Sequence, residues 1–166
     1  MKNILFILFS LVSYSILAQD KITVLSGSYG TYIETYNYYE WMNSYQLKKA
    51  IRLGPTSIKV LKEGTNTAIK WVKLNSEHRK QFSKEICRFR AMNKDQFEYT
   101  GYGYEYTNEY TVTFYGNYDG SFKLEIKTNN DFSEFIVINN IETLMNFKKL
   151  LNGESTNNDI DDIFKK

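Results

Sequence analysis

In the second half of the chain, apolar positions alternate with polar ones over two consecutive stretches. Tyr110, Val112 and Phe114 are separated by Thr111 and Thr113, and Phe122, Leu124 and Ile126 by Lys123, Glu125 and Lys127. A period of two is the period of a half-buried strand. The intervening Asn117-Tyr118-Asp119-Gly120 has turn chemistry, so 110–127 reads as a β-hairpin. A further strand is expected at Glu134–Ile138. The period then lengthens to that of a helix, with Ile141, Leu144, Met145 and Leu151 as its apolar stripe. Asn139 with Glu142 forms a capping-box-like start, and Gly153 ends the helix. Residues 154–166 are polar and read as a tail.

The first half is less regular. Residues 21–40 favour strands through Ile22, Val24, Tyr32, Ile33, Tyr36, Tyr38 and Tyr39, with a break at Ser26-Gly27-Ser28. Tyr45–Leu53 reads as a short helix capped by Ser44 and stopped by Gly54-Pro55. Ser57–Lys62 alternates loosely, like a strand. Residues 67–74 allow two readings: a hairpin partner for 57–62 across Glu63-Gly64-Thr65-Asn66, or the beginning of a long helix. His78, Phe82, Ile86 and Phe89 recur at helical spacing and predict a helix over 76–91.

Strands and helices in irregular order, with tight turns between strands, indicate an α+β fold. The expected architecture is an antiparallel sheet of hairpins, or meander, packed against two or three amphipathic helices in a single domain at 19–153.

Residues 1–18 change the picture of where the chain works. Lys2 precedes an apolar run from Ile4 to Val12, and Leu17-Ala18 offers a cleavage point before Gln19. This is the pattern of a signal peptide, of the bacterial Gram-negative kind, and too short to span a membrane. The expected location is periplasmic or extracellular, with no transmembrane segment in the mature chain. A single cysteine, Cys87, rules out an internal disulfide.

The chain has fourteen tyrosines, and seven of them lie in 99–120. A three-residue loop at 106–108 would set Tyr104 opposite Tyr110 and Tyr102 opposite Val112, as cross-strand pairs. Two uses fit these rings: packing within a sheet, or an aromatic platform for sugar rings or a partner's surface. Tyr29, Tyr32, Tyr36, Tyr38 and Tyr39 would extend the platform if the N-terminal strands lie alongside. The same register sets Glu105 opposite Glu109, and two carboxyls at that spacing suit retaining glycoside hydrolysis. An exposed hairpin tip explains the pair equally well.

Charge is segregated along the chain. Residues 48–94 carry nine lysines and four arginines against three acids, net +10, whereas 95–166 carry six lysines against thirteen acids, net −7. On a 76–91 helix, Lys80, Lys84 and Arg88 would form an exposed cationic stripe. Its use is either solvation or contact with a glycan, an anionic envelope component or an acidic protein. No nucleic-acid motif accompanies it.

His78 and Cys87 are each the sole residue of their kind, so no conventional zinc site forms within one chain. No cofactor motif is present. Ser26-Gly27-Ser28-Tyr29-Gly30 lacks the lysine of a phosphate loop. The functional expectation is an exported, non-enzymatic binding or envelope-associated domain using Tyr102, Tyr104 and Tyr110 or Lys80, Lys84 and Arg88. The alternative is a small secreted hydrolase acting on glycans through Glu105 and Glu109. Ligand identity and oligomeric state are not written in the sequence.

Overall fold

The structure is a computed structural model that describes residues 21–27, 30–93, 107–128 and 134–154. Seven strands and two helices follow in the order β1 (Lys21–Gly27), β2 (Gly30–Tyr39), β3 (Ser44–Leu53), α1 (Pro55–His78), β4 (Phe82–Asn93), β5 (Asn108–Gly116), β6 (Phe122–Thr128), β7 (Glu134–Ile138) and α2 (Ile141–Leu151). The strands form one sheet whose spatial order equals the chain order, with every neighbouring pair antiparallel. The fold is therefore α+β with an antiparallel meander, as the sequence implies.

The 110–127 hairpin has the expected register, with Val112 opposite Ile126 and Phe114 opposite Leu124. Gly120 takes a φ of 85° in its turn, a conformation that costs glycine nothing. β7 occupies Glu134–Ile138 as expected. The α2 cap is Asn140 rather than Asn139, its side chain accepting from the Thr143 amide at 2.7 Å. Two adjacent asparagines make that one-residue shift invisible to pattern alone.

Three expectations in the first half are overturned. Residues 45–53 are strand, not helix, because β3 pairs along β2 from Tyr39↔Ser44 to Thr31↔Leu53. That pairing buries Ala50, Ile51 and Leu53, and tertiary context outweighs a local cap signal. Residues 57–62 are not a strand, since one helix runs from Pro55 to His78 and settles 67–74 as helical. Its buried face is Leu61, Gly64, Thr65, Ala68 and Asn75. So small and polar a stripe, containing a Glu-Gly-Thr-Asn stretch, mimics a turn.

The third correction concerns 76–91. Arg79, at φ 48°, ends α1, and β4 begins at Phe82. Phe82 and Phe89 are seven apart and would face opposite ways on a regular strand. A register shift between Glu85 and Cys87 inserts one residue, so Phe82 sits opposite Gly116 and Phe89 opposite Tyr110 on one face. The bulge turns strand periodicity into a spacing that passes for helical.

The helices cover one face of the sheet. Phe114, fully buried, anchors that core: its ring lies 5.5 Å from Phe82, 5.8 Å from Phe122 and 5.7 Å from Trp71 of α1. Burying each such ring contributes about 1.5–3 kcal/mol. Asn75 of α1 donates to Ser121 O at 2.9 Å and Asn117 O at 3.3 Å, which ties the helix to the β5–β6 turn. α2 follows β7 yet contacts both α1 and β1, so the two sheet edges curl toward one helix.

Among the described residues, β3 and β4 share three pairs, Ile51↔Asn93, Arg52↔Met92 and Leu53↔Ala91. Beyond Leu53 the chain leaves the sheet into α1, and the Ser57 hydroxyl donates to Arg90 O at 2.6 Å. The start of α1 therefore lies beside this β3–β4 seam.

Candidate functional site

Register decides which side chains share the face that neither described helix covers. On β2 these are Tyr32, Glu34, Tyr36 and Tyr38; Ile33 and Thr35 point to the core. A shift between Thr35 and Tyr36 brings Leu47 opposite Tyr36 and Tyr45 opposite Tyr38. β1 adds Leu25 opposite Tyr32 and Lys21 opposite Tyr36. The result is a tyrosine ladder on a three-stranded ribbon.

The ladder is braced from within. The Tyr36 hydroxyl donates to Glu34, and Thr23 donates to the same carboxylate oxygen at 3.4 Å. Its bond to Glu34, with burial adding, raises the Tyr36 pKa above the usual phenol value. Tyr38 donates to Asn43 at 2.5 Å, and its ring lies 5.1 Å from that of Tyr45. The Lys21 ammonium sits 5.9 Å from the Tyr45 ring centroid, within cation–π range. At the β2–β3 turn, Trp41 is 82% exposed, and Tyr39, Met42, Tyr45 and Leu47 are exposed around it.

This surface merges with a second feature. A cleft of about 490 Å³ opens at the seam, with Arg52, Arg88, Arg90, Met92 and the first turn of α1 in its walls. Arg52 lies opposite both Met92 and Tyr32, and the even spacing of Arg88, Arg90 and Met92 on β4 puts all three on that same outer face. The Arg90 guanidinium donates to Thr107 Oγ1 at 2.8 Å and Thr107 O at 3.0 Å. Arg88 is clamped by both oxygens of Glu85 at 2.8 Å and by Glu109 at 3.3 Å. That clamp raises the Arg88 pKa further, and the Arg88 hydrogen bonds hold the Glu85 carboxyl below its usual range.

Compared with known proteins, the chain matches no family model, no curated protein and no solved structure.

The residues singled out in the sequence fall in different places. Tyr110 is 2% exposed, stacked on Phe89 at 5.4 Å and donating to Asn93, so it packs the core and is no part of a platform. Its cross-strand neighbours are Phe89 and Thr128, which leaves no edge of β5 for the Tyr104 pairing. Glu109 sits opposite Arg90. Tyr102, Tyr104 and Glu105 lie outside the described residues.

No cationic stripe exists on 76–91. Lys80 is in the α1–β4 connection, Lys84 lies 5.4 Å over the Trp71 ring on the helix side, and Arg88 faces the other way. Strand alternation and the bulge disperse what a helix would align. His78, exposed, ends α1, while Cys87 is on β4 with its sulfur against Gly64. Burial, with Glu85 nearby, pushes the Cys87 thiol up to about 11, so the cations beside it in sequence do not activate it.

Trp41, Tyr45, Arg52 and Arg90 escaped sequence reasoning. The expected helix at 45–53 takes in Tyr45, and no expectation covers Trp41. The arginines converge only across the β3–β4 seam. Of the five N-terminal tyrosines expected to extend the platform, Tyr32, Tyr36 and Tyr38 share the ladder face, Tyr39 alternates to the other face, and Tyr29 lies outside the described residues.

A third polar cluster lies further along the outer face. Glu125, nearly buried, takes Lys123 at 3.4 Å and Lys127 at 3.6 Å. Burial alone would raise its pKa, but the Tyr115 hydroxyl and the two lysines outweigh it and hold the carboxyl below the usual range. Among the described residues, no cluster of three or more His, Cys, Asp or Glu has metal-binding geometry, and no helix is long and apolar enough to cross a membrane.

Proposed function

We propose that the chain is an exported, non-catalytic domain that binds glycan through the tyrosine ladder of β1–β3 and the Trp41 hairpin tip. What supports the reading is the register that puts Tyr32, Tyr36, Tyr38 and Tyr45 on the face that neither described helix covers, with Trp41 projecting beyond them. Tyrosine and tryptophan combine an apolar ring face with a polar edge, which suits sugars, whose rings carry C–H faces and hydroxyl rims. The ladder is held by hydrogen bonds among Tyr36, Glu34, Thr23, Tyr38 and Asn43, so little side-chain freedom is lost on binding. Residues 1–18 read as the leader that would deliver the domain to the envelope.

The test is retention of the chain lacking residues 1–18 on insoluble peptidoglycan, chitin and cellulose, and in gels containing soluble β-glucan. At least one matrix should retain it, and Trp41→Ala or Tyr45→Ala should weaken retention about tenfold, equivalent to about 1.4 kcal/mol, with an unchanged circular dichroism spectrum. Failure of all matrices to retain the parent, or full retention by both variants, would refute the proposal.

A further inference from the structure

We propose that Glu34 selects the ligand of the ladder: its Oε1 accepts a hydroxyl of an uncharged sugar unit stacked on Tyr36, so the preferred glycan is neutral. This rests on the glycan-binding reading above. Glu34 lies on the same face of β2 as Tyr36, the next residue along that face, and opposite Thr23 of β1. It is a carboxylate set within a row of rings.

That carboxylate is half used. An ionised carboxylate has about four lone-pair sites, shared between its two oxygens. The Tyr36 and Thr23 hydroxyls both donate to Oε2. Among the described residues no donor and no cation reaches Oε1, and the Glu34 side chain is partly exposed. The two hydroxyls hold the side chain in place before any ligand arrives, so accepting a further bond costs little additional ordering. A hydroxyl bond to an ionised acceptor is roughly twice as strong as one between neutral groups.

Charge decides the class of sugar. Lys21 lies opposite Tyr36, with its ammonium 5.9 Å from the Tyr45 ring centroid. This part of the ladder therefore presents one anionic acceptor and one cationic donor. A sugar carboxylate gains at Lys21 what it loses at Glu34, and a sugar ammonium does the reverse. Sugar hydroxyls, which both donate and accept, use the two together.

The experiment is titration calorimetry on the chain lacking residues 1–18. The neutral probes are cellohexaose, laminarihexaose and N-acetylchitohexaose, and the charged ones are hexagalacturonate and the deacetylated chitosan hexamer. At least one neutral hexamer should bind at least about fivefold more tightly than both charged ones, and added salt should leave its affinity within about twofold. Glu34→Gln should weaken it about tenfold. Tyr36 and Thr23 would hold the amide oxygen, and the sugar would meet an amide N–H in place of the anionic oxygen. Glu34→Asp keeps the charge but withdraws it by one methylene; it should lose about as much, and stands alone as the test if Glu34→Gln fails to fold. Glu142→Gln, on the exposed side of α2, should change nothing. Binding of a charged hexamer as tightly as every neutral one, or neutral binding unmoved by the Glu34 variants, overturns the selection yet leaves binding through the rings intact. Absence of binding by any hexamer at millimolar concentration also overturns the selection, and with no polysaccharide retention it sinks both readings.

Discussion

At Gly64 α1 packs directly against β4, and its substitution gives a quantitative test of that packing. A Cβ built on Gly64 would lie 2.6 Å from Cys87 Sγ, far inside the 3.4–4 Å of ordinary contact. Two effects oppose each other in Gly64→Ala. In a helix interior alanine is favoured over glycine by about 1 kcal/mol. Overpacking a filled contact costs about 1–3 kcal/mol. The sulfur is one bond from its own Cβ on a strand, so it has no long side chain with which to retreat. The clash should win, leaving the variant about 1 kcal/mol less stable than the parent. Cys87→Ala alone should cost about 1 kcal/mol through lost contacts. In the double variant the new methyl takes the space of the sulfur, so both penalties largely vanish. The cycle should therefore show a coupling of about 1–3 kcal/mol. Urea unfolding of the chain lacking residues 1–18, followed by circular dichroism with a common m-value, supplies the four free energies. Native-state labelling of Cys87 by a thiol reagent is a second readout, and should be slow in the parent and faster in Gly64→Ala. If Gly64→Ala is more stable than the parent and the two changes are additive, helix and strand do not meet as described.

Two further outcomes are expected. Asn75→Ala removes the amide that serves Ser121 O and Asn117 O, so thermal unfolding should show a loss of about 2 kcal/mol. Asn75→Asp should cost more, because a carboxylate would then face those two carbonyl oxygens. Glu125 has a folded pKa below its unfolded value, so its contribution is present above the unfolded pKa, about 4.3, and is lost as pH falls through the folded value. Stability measured from pH 6 to about 3 should thus decline in the parent, and Glu125→Gln should be less stable at pH 6 with a shallower decline.

Much of the architecture follows from local pattern. Alternation at 110–114 and 122–127 was sufficient for the central hairpin, because strand period two and an Asp-Gly turn are short-range properties. The α+β class and the position of α2 were legible for the same reason, but its buried stripe is Leu144, Phe147 and Leu151, while Ile141 and Met145, expected in that stripe, are exposed. The strand character of Tyr32, Tyr36 and Tyr38 was legible too, although Tyr39, grouped with them in the sequence, alternates to the other face. Other features depended on partners remote in sequence. Whether 45–53 was helix or strand was decided by β2, and the bulge at Glu85–Cys87 gave β4 a spacing that no local rule separates from a helix. The arginines of the cleft, at 52 and 90, meet only because β3 and β4 pair for three residues before α1 leaves the sheet. Periodicity assigns a side chain to a face, but only strand pairing determines which faces become neighbours.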